Sequence, residues 1–310
     1  MNDVFPRQVT LVEVGPRDGL QNIDTPIDVD LKVRFVEALA LAGLPVVEVG
    51  SFVNPKVIPQ MADTQQVYAQ IQRRPGTRYP ALVPNERGLE VALANGVDEI
   101  AVFTATSETF NHHNIRASIA ESLQRFRPVV RRARDANLRV RGYVSCCFGC
   151  PFEGEVPAQR VVDVTRELLA LGVQEVSLGD TIGVAVPTQV DTVLDAVLKS
   201  IPVDVVALHF HDTRGTAVAN VLQALRWGVH IFDASAGGLG GCPYAPGATG
   251  NVATEDLVYI LQGMGIETGV NLPLLLDASL LMEHRLGVPL PSRALRALLA
   301  QRRRDIAATG

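Results

Sequence analysis

The stretch AQRVVDVTRELLALGVQEVSLGD (158–180) decides the fold class. Ala158–Leu171 carries apolar side chains at helical spacing, and Gly172 stands where a helix would stop. Glu175–Leu178 then reads as a short strand buried on both faces, because its apolar residues do not alternate cleanly with polar ones. One helix, one glycine and one strand make an α–β unit.

Working outward, the same unit recurs. The strand-like runs are Val9–Val14, Pro45–Val49, Arg78–Val83, Glu99–Phe103, Arg139–Ser145, Glu175–Leu178, Val203–Leu208 and His230–Ala234, eight in all. Helical patterns lie between them: one capped by Asp28 and ending near Gly43, Glu86–Asn95 before Gly96, and Thr216–Trp227 before Gly228. Alternating elements with short connections predict an α/β fold with a parallel sheet, and eight repeats predict a closed (β/α)8 TIM barrel. A doubly wound sheet is the second choice, but no GxGxxG follows the first run. The barrel is expected over about 9–270 of one catalytic domain. Additional C-terminal helices are expected at Pro273–Leu286 and Ser292–Arg304, with the final DIAATG frayed.

Composition narrows the function. The chain has 310 residues, 47% hydrophobic and 20% charged, with a formal charge of -5, which argues against nucleic acid as a partner. No apolar run is long enough to span a bilayer, and the start lacks a secretory or transit pattern, so a cytoplasmic protein without a membrane partner is expected. Three of its four cysteines, Cys146, Cys147 and Cys150, cluster too closely for a disulfide framework and lack a second pair for zinc. They read as reduced packing or loop thiols.

A barrel gathers its active site at the C-terminal ends of its strands, so the polar residues there matter most. The first run leads into Arg17 and Asp18, the second ends near Glu48, the sixth leads into Asp180, and the seventh into His209, Phe210 and His211. After the eighth comes the Gly-rich GGLGGCPYAPGATGN (237–251), with Cys242 inside it and Asn251 at its end. His209 and His211 on strand-like sequence point the same way. With the Asp18 carboxylate and the Asn251 carbonyl they could hold a divalent metal, Mg2+ or Mn2+, rather than a closed zinc site. The plainer alternative is two hydrogen-bonded polar residues at a strand end. Arg17 is either one half of a rim salt bridge or a fixed cation for a developing oxyanion. Glu48 suits a buried partner for Arg17, and Asp180 a base or a hydrogen-bond organiser. Cys242 suits a proton donor, a nucleophile or a small loop residue.

VEVGPRDGLQN (12–22), SFVNPK (51–56), SLGDTIG (177–183) and GLGGCPYAPGATGNVATED (238–256) together resemble the hydroxymethylglutaryl-CoA lyase family. That family sits within a wider group of barrel metallolyases and acyl-CoA condensing enzymes. The likeness runs from about Leu11 to about Pro289. It implies cleavage of 3-hydroxy-3-methylglutaryl-CoA to acetyl-CoA and acetoacetate, as in leucine degradation. By resemblance Asp18, His209, His211 and Asn251 are the metal ligands. Arg17, Asp180 and Cys242 take catalytic positions, and Glu48 supports the site. His209 is in addition a candidate general base, and Gln21 a candidate for substrate binding or support. An acyl-CoA substrate and a homodimer or larger homo-oligomer are implied in the same way. Ile23-Asp24, Val57 and Arg214 depart from the residues common in relatives, away from the ligand positions.

Overall fold

The computed structural model describes residues 5–241 and 250–309. Its strands are β1 (Thr10–Glu13), β2 (Val46–Val47), β3 (Gly50–Ser51), β4 (Ala81–Leu82), β5 (Glu99–Ala105), β6 (Arg139–Ser145), β7 (Glu175–Asp180), β8 (Val206–Phe210) and β9 (Ile231–Ala234). All pairings between them are parallel, in the order β2-β1-β9-β8-β7-β6-β5-β4-β3. The second expected strand, Pro45–Val49, pairs as β2 and, beyond its expected end, as β3, because the backbone here bonds alternately to both neighbours. The Glu48 amide donates to Glu13 O, while those of Val47 and Val49 donate to Arg78 O and Pro80 O. That alternation closes the sheet into the expected barrel.

Other boundaries shift for local reasons. Val203–Val205 is a 3-10 turn after Pro202, so the seventh run becomes a strand only at Val206 and continues to Phe210. The third run pairs as a strand only over β4.

The helices are α1 (Val29–Leu41), α2 (Thr64–Gln70), α3 (Glu86–Ala94), α4 (Glu108–Ile115), α5 (Ile119–Asp135), α6 (Ala158–Leu171), α7 (Pro187–Leu198), α8 (Ala217–Arg226), α9 (Thr254–Gly263), α10 (Leu272–Leu286) and α11 (Arg293–Thr309). The Asp28 carboxylate accepts the Leu31 amide and caps α1, and Gly172 at φ +104° ends α6, a conformation side chains other than glycine resist. α11 runs past the expected end at Arg304 to Thr309. One continuous apolar core joins the strands to the surrounding helices and reaches α10 and α11 through Leu275, Met282, Leu295 and Leu299.

The lumen is built differently. On β6 the apolar face is outward, where a Cβ on Gly142 would meet Leu168 and Val173. Arg139, Arg141 and Tyr143 therefore face inward, two residues apart. Arg78 pairs with Glu99. Arg139 Nη2 lies 2.9 Å from Glu175, and Arg141 bridges Glu175 and Asp233 at 2.6 Å each. Val12, Val14, Val46, Ala207 and Ile231 form a small apolar cluster separate from the main core. Arg141, Glu175 and Asp233 are buried, so each is tolerable only while its partners stay in place.

Candidate metal centre and active site

The Arg17–Asp18 pair sits on a single wide turn, Gly15–Gly19, directly after β1. The amides of Arg17, Asp18 and Gly19 all donate to Val14 O, at 3.2, 2.7 and 3.1 Å. Gly15 is needed at its start: a Cβ there would come within 2.5 Å of Glu13 Oε1, the atom that accepts the Gly15 amide at 2.8 Å. Such wide helical turns are often found at functional sites.

Arg17 is held on two sides. Nε donates to Glu48 Oε2 at 2.9 Å, Nη2 lies 2.8 Å from the same oxygen, and Nη1 donates to Asp18 Oδ1 at 2.6 Å. Gln21 Nε2 donates to Asp18 Oδ1 at 2.7 Å, and Asn251 Nδ2 donates to Asp18 Oδ2 at 3.0 Å and to Leu239 O at 3.1 Å. Glu48 is thus the buried partner that the sequence suggested, and Gln21 acts on Asp18.

Asp18, His209 and His211 offer ligand atoms that all lie within 4.8 Å of one another. The two rings are 5.1 Å apart, as alternation along β8 requires. Among the described residues, His211 Nδ1 and Asn251 Oδ1 are buried without a hydrogen-bond partner. Buried polar atoms without partners are costly, and Asn251 Oδ1 belongs to the amide whose nitrogen already bonds Asp18. One carboxylate, two imidazoles and an amide carbonyl match the donor set of an open divalent-cation site.

The electrostatics fit the same reading. Burial would raise the Asp18 carboxyl, but Arg17 and both histidines reverse this and hold it below the usual range. Burial also opposes charge on Arg17, and Glu48 and Asp18 outweigh it. Burial and the His209 ring push His211 down to about 4, which keeps that imidazole neutral and able to ligate.

Asp180 closes β7 and is fully buried; its two oxygens accept the amides of Val184 and Ala185 at 2.9 and 3.0 Å. It organises the following loop and is not hydrogen-bonded into the Asp18 cluster. Burial raises it to about 6. Cys242 lies outside the described residues. Cys146, Cys147 and Cys150 are buried thiols: Cys147 bonds to Val144 O at 3.1 Å and Cys150 to Ser107 Oγ at 3.0 Å. Arg214 donates to the carbonyls of Ile182 and Gly183, and Val57 is largely exposed.

Reading the rim alone misses the residues beneath it. Tyr143 OH donates to Glu48 Oε2 at 3.0 Å, Arg141 Nη1 donates to Tyr143 OH at 2.9 Å, and Asp233 Oδ2 lies 3.1 Å from His209 Nδ1. The available signal was polar residues at alternate positions in strands that otherwise look apolar.

Comparison with known proteins agrees with the geometry. A family model described as HMGL-like matches residues 8–282. The mitochondrial hydroxymethylglutaryl-CoA lyase of Bos taurus is 54% identical over 274 residues, covering 88% of this chain and 84% of its own. A Pseudomonas aeruginosa protein named 3-hydroxy-3-isohexenylglutaryl-CoA/hydroxy-methylglutaryl-CoA lyase is 52% identical over 297 residues, covering 96% and 99%. The crystal structure of hydroxymethylglutaryl-CoA lyase from Pseudomonas aeruginosa superposes with a TM-score of 0.94 at 52% identity, again over 96% and 99%.

Proposed function

This chain belongs to the HMGL-like family, and from that premise we propose that it is a carbon–carbon lyase that cleaves 3-hydroxy-3-methylglutaryl-CoA to acetyl-CoA and acetoacetate, a step of leucine degradation. The observation that carries the reading is the convergence of Asp18, His209 and His211 beside a fixed Arg17.

A divalent cation, Mg2+ or Mn2+, held by Asp18, His209, His211 and Asn251 Oδ1 would supply Lewis acidity and a fixed geometry for the substrate's tertiary hydroxyl. The remaining roles belong to the chain. Arg17 has five N–H groups, and at most three are spent on Glu48 and Asp18. The others serve the thioester oxygen, which gains negative charge as the C2–C3 bond breaks. Asp180 or His209 accepts the hydroxyl proton, and C3 becomes the ketone of acetoacetate. The Cys242 thiol returns a proton to C2 of the acetyl-CoA enolate. Glu48 and Gln21 keep Arg17 and Asp18 in register. We place the enzyme in the cytoplasm as a homodimer or larger homo-oligomer; among the described residues, no helix is long and apolar enough to cross a membrane.

The test is acetyl-CoA release from this thioester with Mg2+ or Mn2+ and with a chelator. Metal-dependent turnover of roughly 1 per second or more is expected. No turnover in folded, metal-loaded, reduced protein would reject this substrate. A second reading then takes over: a lyase for an isoprenoid-derived 3-hydroxyglutaryl-CoA. It is favoured by the name of the Pseudomonas aeruginosa relative, which matches nearly end to end. A panel of such thioesters separates the two.

A further inference from the structure

We propose that Asp233 is the positioning residue of the metal centre: it fixes His209 as the tautomer that ligates through Nε2 and so removes His209 from the candidates for general base. The inference rests on the metal-centre reading above and deepens it.

Asp233 lies on β9, in register with His209 on the adjacent β8. Its Oδ2 is 3.1 Å from His209 Nδ1 and accepts Ser177 Oγ at 2.8 Å, while its Oδ1 accepts Arg141 Nη2 at 2.6 Å. The carboxyl has no solvent exposure, and Arg141 is held in turn by Glu175 at 2.6 Å. Three strands therefore fix one carboxylate, and it can turn only one edge to the histidine.

A carboxylate paired with a guanidinium accepts and does not donate. The hydrogen between His209 and Asp233 must then sit on Nδ1, which leaves the Nε2 lone pair for the cluster with Asp18 and His211. Carboxylate–histidine pairs behind a metal ligand fix the ring and raise its basicity. His211 has no such support, since its Nδ1 has no partner among the described residues. The two ligands are thus unequal: His209 is held before any cation arrives. With Nδ1 committed to Asp233 and Nε2 to the cation, His209 has no nitrogen left for the substrate hydroxyl.

Two measurements test this. In metal-free wild-type protein, at a pH high enough for the His209 ring to be neutral, its imidazole nitrogens are read by 15N NMR, in a two-bond proton–nitrogen correlation. Protonated Nδ1 with bare Nε2 is expected, and the opposite tautomer overturns the proposal. Second, Mn2+ affinity is measured by calorimetry on wild type and Asp233→Asn, with thermal unfolding of each. If Asn keeps its carbonyl toward Arg141, its NH2 faces His209 and forces the proton onto Nε2. Mn2+ Kd should then rise about 10–100-fold in folded protein. A rise of less than about tenfold overturns the proposal, since a purely structural role would lower Tm without touching the affinity of the folded fraction. If Asp233→Asn does not fold, the wild-type tautomer decides alone. Failure of the wild type to bind Mn2+ would instead reject the metal centre itself, and the proposal with it.

Discussion

Arg17 Nε and Nη2 both converge on one oxygen of Glu48, Oε2, at 2.9 and 2.8 Å. The guanidinium plane is therefore set before substrate arrives, which is what a preorganised oxyanion partner needs. Arg17→Gln should lower turnover at least about a hundredfold, read as acetyl-CoA release. Arg17→Lys should not rescue it, because an ammonium cannot reach Glu48 and Asp18 and still face the substrate. Near-normal turnover in Arg17→Gln would end the oxyanion role.

Cation binding should be visible without any chemistry. Saturating Mn2+ at about 100 times its Kd should add about 2.7 kcal/mol to unfolding, and a chelator should reverse it. His211→Ala removes a ligand atom and should abolish the rise in Tm. A rise that survives in His211→Ala would place the cation elsewhere.

Arg141 is the most heavily committed side chain in the lumen. Arg141→Met leaves Asp233 buried without a guanidinium and Glu175 with Arg139 alone. The expected loss is about 3–5 kcal/mol in urea unfolding, the usual result of removing one partner of a buried pair. A loss under about 1 kcal/mol would mean that water enters the lumen.

Two buried carboxylates outside the lumen should give stability a pH slope. Glu13 accepts the amides of Gly15 and Ala236 and the Thr254 hydroxyl; Glu255 accepts the Gly237 amide and Ser279 Oγ. Burial raises Glu13 to about 8 and Glu255 to about 7, from 4.5. The folded state thus holds protons that the unfolded state has released. Their contribution is complete below about pH 4.5 and is lost as pH rises through 7 and 8. Urea midpoints should fall between pH 6.5 and 8.5, and Glu13→Gln with Glu255→Gln should flatten that fall. An equally steep profile in the double variant would disprove the assignment.

Most strand starts were legible because an apolar run between a glycine and a polar rim residue has few other readings. The break at Glu48 was not, because it arises from bonding alternately to two neighbours rather than from composition. At the site, Asp18, His209 and His211 were legible from their places at strand ends, and Asn251 from its place at the end of the Gly-rich loop. Asp233 and Arg141 were not: they are 92 residues apart, and a charge inside an apolar run does not announce its partner. The alternation Arg139, Arg141, Tyr143 was in plain view and marks an inward polar face.

The lumen ions form a neutral set. Arg78, Arg139 and Arg141 balance Glu99, Glu175 and Asp233, so the set carries no net charge into the layer above. At the rim Arg17 faces both Asp18 and Glu48, two carboxyl groups to one guanidinium. The unequal pairing thus lies at the mouth, where a cation would dock. Drift in the lower layers is then permitted only in compensating pairs: a lost arginine must take an acid with it, or the imbalance travels up to the centre that does the chemistry.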